Sequence, residues 1–166
     1  MVQYNLSTIK IIVALFVLSI ARPVAAEEIL RHDGPEQPLP GPVPARLLRV
    51  VDGDTIRVRA HIWLGQEVET FVRLSGVDAA EKHAHCDYER DMARKAQDFV
   101  EAKLADENIW LADVTYDKYG KRVVARVLTN GGEDLSTALL AANLAHRYGG
   151  GHKERWCPAG ADDSER

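Results

Sequence analysis

Val50 to Glu81 reads VVDGDTIRVRAHIWLGQEVETFVRLSGVDAAE, and the fold turns on how that stretch is parsed. Leu47 to Val51 is mainly apolar and β-branched and predicts a strand, which Asp52-Gly53-Asp54 interrupts because Asp and Gly favour turns and positive φ. Ile56, Val58, Ala60 and Ile62 then alternate with Arg57, Arg59 and His61, the period-2 pattern of a half-buried strand. Leu64-Gly65-Gln66-Glu67 predicts a hairpin loop. Val68 to Val77 returns as a third strand with Arg73 in its apolar middle, and Asp78 and Glu81 are expected to leave that strand into a loop. A meander of this kind brings Asp54, Arg73, Asp78 and Glu81 together.

That set has a chemical logic. Hard divalent cations take oxygen ligands, so two or three carboxylates suit Ca²⁺ or Mg²⁺. An arginine beside such a site donates two parallel hydrogen bonds to a phosphate. A carboxylate not consumed by the metal serves as general base on water. Metal, base and guanidinium together describe phosphodiester hydrolysis. Read by spacing alone, the same residues are also ordinary turn punctuation and solvated surface.

The segments VVDGDTIRV, VRLSGVDAAE, DKYGKRVVARV and ALLAANLAHRY, in that order, resemble the staphylococcal nuclease-like (thermonuclease) family from about Leu47 to Tyr148. The resemblance implies an α+β, mainly β chain: a five-stranded OB-fold-like barrel with two to three packed helices. It also implies hydrolysis of DNA and RNA with Ca²⁺, Mg²⁺ or Mn²⁺ being alternatives, and 3′-phosphate products. Carried over, Asp54, Asp78 and the Ala79 carbonyl hold the metal, Arg73 binds the scissile phosphate, and Glu81 activates or positions the water. A second arginine follows Tyr-Gly in the family. Here Lys121 directly follows Gly120; counting back from Ala125 selects Arg122, with one extra turn residue, and leaves Lys121 as its rival. Tyr119 and Tyr148 match substrate-contacting tyrosines. The family often has threonine or proline where Ala79 and Ala80 stand, and lack of proline at Ala80 loosens the loop that aims Glu81.

Outside this region, Met1 to Ala26 reads as a signal peptide: Lys10, the apolar run Ile11 to Ala21, then Val24-Ala25-Ala26. The run is shorter than the roughly 20 residues a membrane span needs, so a chain starting near Glu27, secreted or periplasmic and not inserted in the membrane, is expected. Residues 27–44 form a proline-rich lead expected to be extended and weakly ordered, 45–158 the nuclease domain, and 159–166 a flexible tail. The net charge is −4. Loss of Lys10 and Arg22 with the signal segment makes it more negative still. That balance argues against a stoichiometric nucleic-acid coat and is compatible with an enzyme that releases its product. A monomer acting on DNA or RNA, preferably single-stranded, is expected.

Met92, Ala96, Phe99, Val100 and Leu104 recur at helical spacing with Asp87 as expected cap. Ile109 to Tyr116 and Val123 to Leu128 predict the fourth and fifth strands. Leu135, Leu139, Leu140 and Leu144 line a second helix capped by Asp134. In an oxidising compartment Cys86 and Cys157 pair as a disulfide; the alternatives are free thiols, or a zinc site with His83, His85 and His152. The rival function is a binding module on the same barrel, gripping single strands without chemistry.

Overall fold

Alternation gives the barrel its interior. The computed structural model describes residues 38–118, 120 and 122–158. Within them run β1 (Val43–Asp52), β2 (Thr55–Trp63), β3 (Gln66–Leu74), β4 (Val77–Ala79), α1 (Asp87–Lys103), β5 (Asn108–Tyr116), β6 (Arg122–Thr129), α2 (Leu135–Ala141) and β7 (Ala145–Arg147). Five strands close in the order β1-β2-β3-β6-β5, with β3 and β6 parallel and every other pairing antiparallel. Ile56, Val58 and Ala60 of β2 point inward with Val72, Leu74, Ile109, Leu111, Ala125 and Val127. Each large aliphatic side chain taken fully from water contributes about 1.5–3 kcal/mol.

The structure is thus a mainly β chain around a five-stranded barrel of the OB type, with two helices among the described residues. The alternation of β2 ends before Ile62, which is exposed, as are Trp63 and Leu64 at the hairpin tip. The turn itself is two residues, Leu64-Gly65, with Gly65 at φ 71° and Trp63 opposite Gln66.

Three further departures bear on the site. The expected third strand is broken at Ser75-Gly76, because Gly76 takes φ 80° and cannot continue a strand. Asp78 therefore lies in a strand of its own, β4, paired with β7 opposite His146, rather than in a loop. The Asp52-Gly53-Asp54 turn does not use positive φ at Gly53. A Cβ there would stand 2.6 Å from Ala96 Cβ and 2.8 Å from Ala79 Cβ, so the glycine is required for close packing of the turn against α1 and β4.

The strand β1 begins at Val43, and Leu39 bridges Val114, so the end of the proline-rich lead is paired into the barrel. Expectations for residues 1–37 and 159–166 lie outside the described residues. Among the described residues no helix is long and apolar enough to cross a membrane.

Helix α1 is capped by Cys86, whose backbone is extended, and Asp87 is its first residue. It buries Ala93, Ala96 and Val100. Asp134 caps α2, accepting from the Thr137 N–H at 2.9 Å. Cys86 and Cys157 form a disulfide across a sequence separation of 71. It joins the start of α1 to the segment after β7.

Closing so long a loop removes freedom mainly from the unfolded chain, a contribution of about 3–5 kcal/mol at most. Replacing both cysteines by serine is expected to lower the melting temperature by roughly 10 °C, measured by circular dichroism without reductant; an unchanged melt would refute this. Gly53→Ala is expected to destabilise by about 1–3 kcal/mol through overpacking, read from urea unfolding.

Candidate active site

Arg73 alternates outward on β3 between the inward Val72 and Leu74, opposite Thr55 on β2 and Val124 on β6. Its Nη1 donates to Asp54 Oδ2 at 2.5 Å, and its Nη2 to Asp78 Oδ1 at 3.0 Å and to the Val77 carbonyl at 3.2 Å. The Tyr148 ring lies 5.6 Å from the guanidinium carbon. Asp54 and Asp78 are only 6 % and 3 % exposed. Asp54 Oδ2 also accepts the Ala79 N–H at 3.2 Å, and Oδ1 accepts the Thr55 hydroxyl at 2.9 Å. Tyr148 is set in place by its own N–H, which donates to the Gly76 carbonyl at 3.0 Å.

Glu81 follows β4, and its N–H donates to Glu89 Oε1 in the first turn of α1 at 3.2 Å. Its side chain is exposed and meets Lys153, whose Nζ lies 2.9 Å from Glu81 Oε1 and 2.9 Å from Asp78 Oδ1. Arg122 opens β6 rather than sitting in the preceding turn, and its Nε is paired with the buried Asp117. Asp54, Arg73, Glu81, Arg122 and Tyr148 line one open cleft of about 560 Å³. Asp52, Tyr116, Lys118 and Lys153 line it as well. Tyr119 and Lys121 lie outside the described residues.

Burial raises the pKa of Asp54 above its ordinary 3.8; Arg73 pulls it the other way and Asp52 adds to the rise. Burial works to lower the Arg73 pKa, but Asp54 and Asp78 outweigh it and hold the guanidinium charged. Lys153 is likewise held charged: desolvation opposes this, and Asp78 and Glu81 prevail.

The histidine and cysteine alternative fails for a chemical reason. Among the described residues the one group of histidine, cysteine and carboxylate atoms close enough to share an ion is Cys86, Glu89 and Cys157. Both sulfurs are consumed in the disulfide, so neither is a thiolate ligand.

A family model described as staphylococcal nuclease homologue matches residues 71–156, slightly more than half of the chain. The chain belongs to the staphylococcal nuclease homologue family. The match takes in Arg73, Asp78, Glu81, Arg122 and Tyr148, and Asp54, which precedes it, reaches them through the pairing of β2 with β3. It places the chain in a nuclease family whose members are generally Ca²⁺-dependent. No curated protein matches the chain.

In donor chemistry the residues present fit a hard cation. Asp54 and Asp78 meet one guanidinium, and Asp78 and Glu81 meet one ammonium, so Asp78 links three carboxylates whose oxygens do not all lie within 4.8 Å of one another. Such an all-oxygen set is what Ca²⁺ takes.

Sequence reasoning missed Lys153, Asp52, Tyr116 and Lys118. Lys153 follows the run Gly149-Gly150-Gly151, where no periodicity guides placement; its one local signal is the nearby Cys157.

The raised Asp54 pKa has a signed consequence. The folded state holds a proton on Asp54 more tightly than the unfolded chain, so this group favours folding below 3.8 and loses that contribution as pH rises through its higher folded value. Relative to Asp54→Asn, the wild type is expected to gain stability as pH falls from neutral toward 3.8. Urea unfolding of both proteins in chelator across that range checks the sign; a gap that moves the other way would refute it.

Proposed function

We propose that this protein is an exported, Ca²⁺-dependent, sugar-nonspecific endonuclease that hydrolyses DNA and RNA by attack of water on phosphorus, acting as a monomer and preferring single strands. The observation that carries this reading is a cleft lined by Asp54, Arg73, Glu81, Arg122 and Tyr148, with the buried Asp78 joined to it through Arg73 and Lys153. Export is inferred from the charged, apolar and small-residue order of residues 1–26.

In this reading Asp54, Asp78 and the Ala79 carbonyl would hold the ion, which when bound would supply positive charge to the phosphoryl oxygens and acidify water. Glu81, the exposed carboxylate of the group, takes the proton from the attacking water. Arg73 grips the scissile phosphate with its planar fork, and Arg122 stabilises the charge that develops on the pentacoordinate phosphorus. Tyr148, packed on Arg73, borders the path of the sugar and base. Tyr119 and Lys121 are assigned as further substrate contacts from the next turn.

The mature chain, residues 27–166, incubated with denatured DNA or with RNA, is expected to cut both with Ca²⁺ and neither with chelator. Tight, metal-independent binding without product would instead favour the binding-module reading. Glu81→Gln is expected to lower kcat by about 10²–10⁴, and Arg73→Lys, which keeps charge but loses the fork, by about 10²–10³. Steady-state kinetics on a defined oligonucleotide, with circular dichroism to verify folding, checks both; near-wild-type rates in either variant would remove its assigned role.

A further inference from the structure

The segment after β7 folds back across the site and is held at three points. Cys157 is bonded to Cys86 at the start of α1. Trp156 stacks on His146, with ring centroids 3.9 Å apart and planes 7° from parallel. His146 lies opposite Asp78 in the antiparallel β4–β7 pair, so the two side chains share a face. The third point is Lys153, whose ammonium spans Asp78 and Glu81.

Asp78 Oδ1 accepts from Arg73 Nη2 at 3.0 Å and stands 2.9 Å from Lys153 Nζ. A carboxylate oxygen has two lone pairs, and both are engaged. An ion bound through that oxygen must displace one of the two donors. Arg73 is buried, and Asp54, the Val77 carbonyl and Tyr148 hold it. Lys153 is half exposed on a long flexible side chain, so it is the donor that leaves. Its contact is also stronger than an ordinary surface pair: Asp78 is buried, and the disulfide and the aromatic stack have already restricted the strap that carries the lysine.

We propose that Lys153 is an internal competitor for the catalytic cation, a residue that sets the Ca²⁺ affinity of the site, kept in position by the Cys86–Cys157 disulfide. This rests on the reading of Asp54, Asp78 and Glu81 as cation ligands. An ammonium at the same carboxylates satisfies them when the ion is absent and opposes the ion when it arrives. The affinity is therefore weaker than the three carboxylates alone would give, and loosening the strap strengthens it.

The test is Ca²⁺ binding by titration calorimetry on the mature chain without nucleic acid, which is independent of turnover. Lys153→Met is expected to bind Ca²⁺ on the order of tenfold or more tightly than wild type, the scale of removing one unit charge a few ångströms from a partly solvated site. Lys153→Arg is expected to stay near the wild-type value because the charge remains. The Cys86→Ser/Cys157→Ser protein is expected to shift in the same direction as Lys153→Met, by less. General damage to the fold would weaken binding, the opposite sign. Measurable wild-type binding that Lys153→Met leaves unchanged or weakens overturns the competition and leaves the cation site standing. No Ca²⁺ binding in any of these proteins, or full binding by Asp78→Asn, overturns the cation-ligand reading and the competition with it.

Discussion

One guanidinium held between two buried carboxylates is the constraint on which the rest of the structure depends. Asp54 arrives from the β1–β2 turn, Asp78 from β4 and Arg73 from β3, so three segments must agree in position before the charges can neutralise one another. Desolvating ions costs several kcal/mol each, and only good geometry repays it. Burial raises the pKa of Asp54 even with Arg73 at 2.5 Å, with Asp52 adding to the rise. Well-packed apolar residues of similar volume often serve stability as well or better. This arrangement keeps acidic oxygens and a forked donor together at the edge of an open cleft, which is useful for ligands rather than for folding.

The frame that meets this constraint is built from small residues and short pairings. Gly53 brings its turn against Ala79 and Ala96 because none of the three carries bulk. The three-residue sheet of β4 and β7 fixes Asp78, and the same sheet delivers Tyr148 to the face of Arg73. Glu89, in the first turn of α1, takes the N–H of Glu81 and so ties the loop to the helix. Proline is absent from position 80, where it would stiffen the loop, and this hydrogen bond performs part of that task.

What was legible in the chain follows from range. The alternation of Ile56, Val58 and Ala60 is local, and it marked the barrel interior correctly. Ala96, Val100 and Leu104 likewise marked the buried face of α1, and Asp134 was recognisable as a cap by residue type. The break at Ser75-Gly76 was not legible, because one glycine inside an apolar run is as compatible with a continuing strand as with a turn. β4 and β7 are too short for any period to show. The purpose of Gly53 lay in side chains on two distant elements, which sequence spacing does not report. Lys153 reaches Glu81 over a separation of 72 residues, a placement that depends on the disulfide and on the stacking of Trp156.

The distribution of charge resolves how a net-acidic chain presents a site suited to a polyanion. On the outer face of β2, Arg57 and Arg59 pair with Glu69, and Arg59 also approaches Glu67. Arg46 pairs with Glu107, and Arg126 with Asp113 and Asp134. Exposed pairs of this kind add about 0–1 kcal/mol each to stability, yet they cancel the cationic field over much of the barrel surface. Arg73, Arg122, Lys118 and Lys153 all border the cleft where Asp54 and Glu81 also stand. A phosphate approaching the barrel from outside meets neutralised arginines; inside the cleft Arg73, Arg122 and Lys153 are paired with carboxylates as well, so both signs of charge are concentrated between low-dielectric walls. The acidic ligands in that cleft would repel the same phosphate unless a divalent ion lay between them. On the proposed cation reading the sign of the potential there would follow occupancy of the carboxylates, and net charge over the whole chain says little about it.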